Sequence, residues 1–346
     1  MGLFSTSSKT ANGKPPAQVG SHAPQRRATP ATRYNVASYA IGWIAALEHE
    51  LIAALSMLDE SHQCPTDYRQ YMHDPNTYNW GRIGQQNVVI VSLMRPYGKA
   101  SAAIVTKNLA MTHPDIRLAF LVGIGAGVPR PGHDVRLGDV VVSHARGNGS
   151  VIAYDLIKTL KSGIELSVSP YASHKTLQKA VISLAARHKS KGSRMTSIIG
   201  EAFKRYPRLA NSTSWRYQGA KYDVLCKDTY MRLGPRHQRS FKTNPSDVNG
   251  VLVRKPRASS SPVIHYGTIG SGDVLIKALG ERERILDRLP EDCICLEMEA
   301  AGVMPVFPAL VVRGICDYAD TQKNDMWQNY AAITAAAYTR ELLENL

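Results

Sequence analysis

The sequence predicts an α/β protein built around a largely buried sheet, and three observations carry that reading. Residues 116–122, 293–298 and 309–316 are short, nearly uninterrupted apolar runs, the signature of strands covered on both faces. Between such runs lie stretches of helical periodicity, such as Ala102, Ala103, Val105 and Leu109. Acids also stand where apolar strands end: Glu48 and Glu50 after Tyr39–Ala46, Glu299 after 293–298, and Asp317 after 309–316. Open α/β sheets bind ligands at the carboxyl ends of their strands, so two carboxylates delivered by neighbouring strands can grip a polyol and donate a proton.

The elements follow in order. Residues 1–33 are rich in Ser, Thr, Ala, Pro and Gly, with too few apolar residues to fold, and read as a disordered basic tail. A folded domain then spans 34–346. Tyr39–Ala46 is a strand, and Leu47–Leu58 is a helix with acids in its first turn. Tyr78–Gly84 and Gln86–Leu93 form a hairpin, Lys99–Met111 a helix, and Ile116–Val122 a strand running into a glycine loop at 123–127. Gly138–His144 is a strand, and a helix follows Pro170 to about Lys189. Residues 190–260 are polar, basic and rich in Arg, Ser, Tyr and Pro, and read as an insertion with some local order. Val263–Ile269 is a strand, Lys277–Leu289 a helix, and Trp327–Leu343 a final helix with an Ala-rich face.

Composition narrows the function. The 346 residues can bury a full core, and no apolar run is long enough to span a bilayer. Five cysteines, an odd number without metal-ligand spacing, suggest reduced thiols in a cytoplasmic protein. The net charge of +14 is uneven. Residues 1–33 hold five Lys/Arg and no acid, residues 187–257 hold 17 Lys/Arg against four Asp/Glu, and the remainder is mildly acidic. The basic segment reads first as a solvated Lys/Arg surface, with a phosphorylated substrate or nucleic acid as its functional alternatives.

Each candidate site residue has a bland reading beside its functional one. Glu48 and Glu50 satisfy a helix dipole, and two residues apart they do not share a face. Gly123-Ile124-Gly125-Ala126-Gly127 is either a tight turn or a ligand cradle; it fits neither a Walker loop nor the dinucleotide spacing, because position 128 is Val. Glu299 is a helix-start acid or a carboxylate that accepts from two vicinal hydroxyls. Asp317 is an N-cap or a general acid.

With those residues in view, the chain resembles the nucleoside phosphorylase/nucleosidase superfamily over about 39–180 and 262–345. Seven ordered blocks carry the resemblance: IGWIAALEHEL, NTYNWGRIGQQNVVIV, LVGIGAGVP, RLGDVVVS, IHYGTIGSGD, CLEMEAAGV and RGICDYADTQKN. It is most similar to a fungal branch whose domains also front NLR-like proteins, and to methylthioadenosine/S-adenosylhomocysteine nucleosidases. The resemblance implies a three-layer α/β/α sandwich with a central mixed, partly closed sheet. It implies cleavage of the N-glycosidic bond of purine nucleosides or nucleotides without metal or organic cofactor, in a homodimer or larger homo-oligomer.

By matched position, the resemblance assigns Asp317 to protonating the purine, Glu299 to the ribose hydroxyls and Glu50 to activating water. Glu297, Met298, Gly123, Ile124, Gly125 and Ala126 are implied pocket residues. Leu275 and Ile276 stand where bacterial nucleosidases stack an aromatic on the base, so the base pocket departs there. Ala126 replaces a glycine common in the fungal branch. Phosphorylases of the superfamily carry an arginine before the glycine segment and a hydroxyl within it; Leu121 and Ile124 stand at those places, which favours hydrolysis over phosphorolysis. The alternatives are a purine nucleoside phosphorylase and a nucleoside-sensing domain without turnover. Tyr206, Trp215, Tyr217 and Tyr222 of the insertion are candidates for a base-stacking lid.

Overall fold

The structure is a computed structural model that describes residues 34–130, 132–144, 149–160, 163–166, 170–226, 251–274, 279–320 and 325–346. The strands are β1 (Ile41–Ala45), β2 (Glu60–His62), β3 (Tyr78–Ile83), β4 (Gln86–Ser92), β5 (Leu118–Gly127) and β6 (Val140–Ser143). They continue with β7 (Val151–Ala153), β8 (Ile157–Leu160), β9 (Gly163–Leu166), β10 (Ile264–Ser271), β11 (Cys293–Glu297) and β12 (Leu310–Asp317). The helices are α1 (Glu48–Ser56), α2 (Lys99–Thr112), α3 (Lys175–Lys191), α4 (Met195–Arg205), α5 (Pro207–Asn211), α6 (Leu279–Leu286), α7 (Ala300–Val303) and α8 (Gln328–Leu343).

All but β8 and β9, which form a small hairpin, belong to one mixed sheet in the order β11-β10-β6-β12-β5-β1-β4-β3-β2, with β7 beside β10. β5 runs parallel to β1 and β12, whereas β11 returns antiparallel to the end of β5, pairing Cys295 with Gly127 and Leu296 with Ala126. That last pairing closes β5, β12, β6, β10 and β11 into a ring, so the sheet is partly closed. β1, β5, β11 and β12 are almost wholly buried, which is why their sequences lack alternation. Helix α8 packs on β5, β6 and β12 together with α1, α3 and α4, while α2 packs on β4 and α7. The result is the three-layer α/β/α architecture, with α8 buried from Tyr330 to Leu343.

Two sequence expectations need correction. The glycine segment 123–127 is not a loop: it is the carboxyl-terminal half of β5, paired with β12 and β11. β11 and β12 are not neighbours, because β5 lies between their ends. The polar segment after 190 contains a true amphipathic helix, α4, which buries Met195, Ile198, Ile199 and Ala202. Burying each large apolar side chain stabilises the fold by about 1.5–3 kcal/mol, enough to dock the helix despite its basic outer face.

Candidate active site

The strand ends converge on one cavity, whose walls include Glu50, Ile124, Gly125, Ala126, Glu297, Met298, Glu299 and Asp317. Glu50, in the first turn of α1, is buried, and its Oε2 accepts hydrogen bonds from the backbone N–H of Ala46 (2.6 Å) and Leu47 (2.9 Å). Leu47 is the N-cap of the helix, so Glu50 ties its own helix start to the end of β1. Its other oxygen, Oε1, reaches across to β5 and accepts from the N–H of Ile124 at 2.8 Å. Gly123 makes this approach possible: a Cβ there would lie 2.5 Å from Glu50 Cδ and 2.7 Å from Arg313 Nη1. Gly125, two residues on along β5, admits β11 instead: a Cβ there would sit 2.8 Å from Cys295 Sγ.

Arg313, midway along β12, organises the acids. Its guanidinium pairs with Glu297, stands 3.3 Å from Glu299 Oε2 and 4.0 Å from Glu50 Oε1, and donates to the carbonyl of Ile124 at 3.2 Å. Burial opposes the charge on Arg313, but Glu297, Glu299 and Glu50 outweigh it and raise its pKa further. Three carboxylates share this one buried cation, so the cluster carries excess negative charge. The consequence falls on Glu299: burial first, then the charges of Glu297 and Glu50, push its pKa up to about 8 against the pull of Arg313.

Glu299 and Glu297 divide the start of α7 between them. Glu297 accepts from the N–H of Glu299 (3.0 Å) and Ala300 (3.0 and 3.1 Å), so it supplies the capping oxygens. Glu299 occupies the N-cap position but makes no side-chain capping bond. Glu299 therefore stands at the helix start without capping it, and the capping bonds belong to Glu297. Asp317 ends β12, and its Oδ1 accepts from Ala319 N–H at 2.9 Å. Its capping role is real but local, and its carboxyl remains on the cavity wall.

Of the residues singled out from sequence, Gly123 lies beneath Glu50 rather than on the cavity wall, and Leu275 and Ile276 lie outside the described residues. Val274 before them does line the cavity, as do Tyr97, Tyr154 and Gln328, none of which was expected as a pocket residue. Arg313 was also missed, although a signal was present. An arginine inside the apolar run 309–316 must find buried partners, because an unpaired buried charge is prohibitively costly. The expected aromatic lid is mostly absent: Trp215 is buried, and Tyr217 packs edge-on against Trp327 and Tyr330 at 5.5 and 5.7 Å. Tyr206 is exposed at the junction of α4 and α5, leaving only Tyr222 near Asp317. Among the described residues no group of His, Cys, Asp or Glu is arranged to hold a metal, and no helix is long and apolar enough to cross a membrane.

No family model matches the chain. A nucleotide-binding leucine-rich repeat (NLR)-like protein of Hyaloscypha variabilis is 38% identical over 306 residues, 88% of this chain and 29% of that protein. An ATP nucleosidase Cap17 of Escherichia coli is 35% identical over 178 residues, 44% of this chain and 34% of that protein. The chain thus spans about a third or less of these relatives' lengths. Among solved structures, the 5′-methylthioadenosine/S-adenosylhomocysteine nucleosidase of Neisseria meningitidis, bound to methylthio-immucillin-A, superposes with a TM-score of 0.53. It is 16% identical and is matched over 88% of this chain and 99% of its own. The chain has the fold of this nucleosidase. Futalosine hydrolase of Helicobacter pylori shares the fold with a TM-score of 0.56 at 14% identity, over 89% of this chain and 99% of its own. These low identities speak to the fold, and the partly closed mixed sheet is its hallmark here.

Proposed function

We propose that the chain is a nucleosidase that uses water to cleave the N-glycosidic bond of purine nucleosides, with 5′-nucleotides among its substrates. Glu50 takes a proton from water as the oxygen attacks the anomeric carbon. The C–N bond pair passes to the base, and Asp317 gives the base a proton, so free base and sugar leave. Glu299 accepts hydrogen bonds from the ribose hydroxyls. The excess carboxylate charge around Arg313 favours the cationic, oxocarbenium-like sugar of the transition state. Glu297 holds Arg313 and the start of α7 in place. The relative named an ATP nucleosidase supports this reading and motivates the inclusion of nucleotides.

The observation that carries hydrolysis over phosphorolysis is the bond from Ile124 N–H to Glu50. In a phosphate-using site that amide would face the anion. Here a carboxylate occupies it, and the nearest buried cation, Arg313, is already committed to three acids. A phosphate dianion would meet repulsion at the position where a water would meet a base. The test is a panel of purine nucleosides and nucleotides read for free base, with Asp317→Asn and Glu50→Gln as controls. Each substitution should lower kcat by about 10²–10⁴-fold while binding persists. Tight nucleoside binding without base release by the unsubstituted protein would instead identify a sensing domain.

A further inference from the structure

Among the described residues, the basic insertion reaches the candidate site through a clamp on the residue after Asp317. A second cavity lies behind Asp317, with Leu137, Tyr222, Val224, Asp320 and Met326 on its walls. Between Tyr222 and Val224, Asp223 turns inward. Its Oδ1 accepts a 2.5 Å hydrogen bond from Tyr318 Oη and a 3.2 Å bond from Leu137 N–H. Its Oδ2 pairs with Arg254 at 2.7 Å. Arg254, from the far end of the insertion, donates to Tyr318 Oη at 2.8 Å and to Val135 O at 3.1 Å, with its guanidinium 5.4 Å above the Tyr318 ring. Tyr318 is thus held by two separate segments of the insertion, and its carbonyl accepts from Arg282 Nε at 2.9 Å.

The residue so held precedes a strained turn. Ala319 has φ of 52°, the only non-glycine residue in the left-handed region among those described. An L-residue there is disfavoured unless its surroundings fix it. In the same turn the Ala319 N–H donates to Asp317 Oδ1 at 2.9 Å, across the peptide that Tyr318 carries. The clamp and the turn therefore act on the same carboxyl group, one from the outside and one from the backbone.

We propose that Asp223 and Arg254 are positioning residues: through Tyr318 they hold the strained 317–320 turn that orients the Asp317 carboxyl, making the insertion part of the base side of the site. The clamp itself stands on geometry, and its catalytic use rests on the nucleosidase reading. The insertion's described contacts here are those of a structural wall rather than of a nucleic-acid-binding surface, because Arg254 is spent on Asp223 and Tyr318.

The test uses the full chain with Asp223→Asn and Tyr318→Phe. Amide hydrogen exchange over 317–320 should accelerate about tenfold or more in both, because local opening loses its restraint. Base release should fall about 10–100-fold in kcat with KM within about threefold, as expected for a misplaced acid rather than lost binding. Adding Ala319→Gly to Asp223→Asn should restore most of the lost kcat, since glycine adopts the left-handed turn without help. Unchanged exchange overturns the clamp, even if the protein releases no base. Accelerated exchange with unchanged kcat overturns the positioning role. A fall in kcat that Ala319→Gly does not rescue also overturns it, pointing to general damage. Failure of the unsubstituted chain to release any base, with exchange behaving as described, rejects the nucleosidase reading and leaves the clamp standing.

Discussion

Gly123→Ala adds one methyl group and tests the water-activating geometry without removing any acid. The new Cβ would lie 2.5 Å from Glu50 Cδ and 2.7 Å from Arg313 Nη1. Non-bonded carbons rest at about 3.5–4.0 Å, so the carboxylate must retreat by roughly 1 Å. The bond between Ile124 N–H and Glu50, 2.8 Å long, cannot survive that retreat. A displacement of about 1 Å in a catalytic group costs on the order of 10²-fold in rate, equivalent to about 2.7 kcal/mol of barrier. Single-turnover release of free base, measured beside a urea unfolding curve, separates this effect from loss of fold. The expected result is a folded protein with kcat down about 100-fold, and Glu50→Gln should add little to the loss because both act on the same group. A folded Gly123→Ala protein with kcat within about threefold of normal would refute the claim that Glu50 works from the position it occupies against Ile124.

Arg313→Met should destabilise the protein by about 3–5 kcal/mol in urea unfolding, since it strands buried carboxylates. Adding Glu297→Gln should recover part of that loss, whereas a loss under about 1 kcal/mol would contradict the charge-sharing cluster. The raised pKa of Glu299, about 8, gives a stability signature with a definite sign. The folded protein keeps the proton that the unfolded chain gives up above its ordinary carboxyl pKa. Stability from this group is therefore greatest at low pH and declines, by up to about 1.4 kcal/mol per unit, from roughly pH 4.5 to 8. Glu299→Gln should flatten the slope over that window relative to the unsubstituted protein, and an unchanged slope would argue against a shared proton in the cluster.

The fold was legible where burial wrote itself into composition. The runs at 116–122, 293–298 and 309–316 became β5, β11 and β12 because strands covered on both faces need apolar side chains on both. The glycine segment misled because glycine usually punctuates strands. Here Gly123 and Gly125 stay within β5 so that Glu50 and Cys295 can approach its backbone, a tertiary demand invisible to local pattern. Helix α4 was hidden by a basic outer face, although Met195, Ile198, Ile199 and Ala202 already stood at helical spacing. The acids were readable because each ends a strand or starts a helix. Their shared counter-ion was overlooked inside an apolar run, where Arg313 was the one conspicuous exception. Nothing in the sequence showed that Asp223 and Arg254, 31 residues apart, would meet on Tyr318.

The central claim is that water, not phosphate, is the nucleophile. It is tested most directly by incubating the protein with a purine nucleoside or its 5′-nucleotide in ¹⁸O-enriched water, with and without phosphate, and analysing the sugar product. The prediction is free base with an equal amount of reducing sugar carrying ¹⁸O from the attacking water, at a rate unaffected by phosphate; short reactions limit label gained by later exchange. Formation of a sugar 1-phosphate, or base release that depends on phosphate, would contradict it.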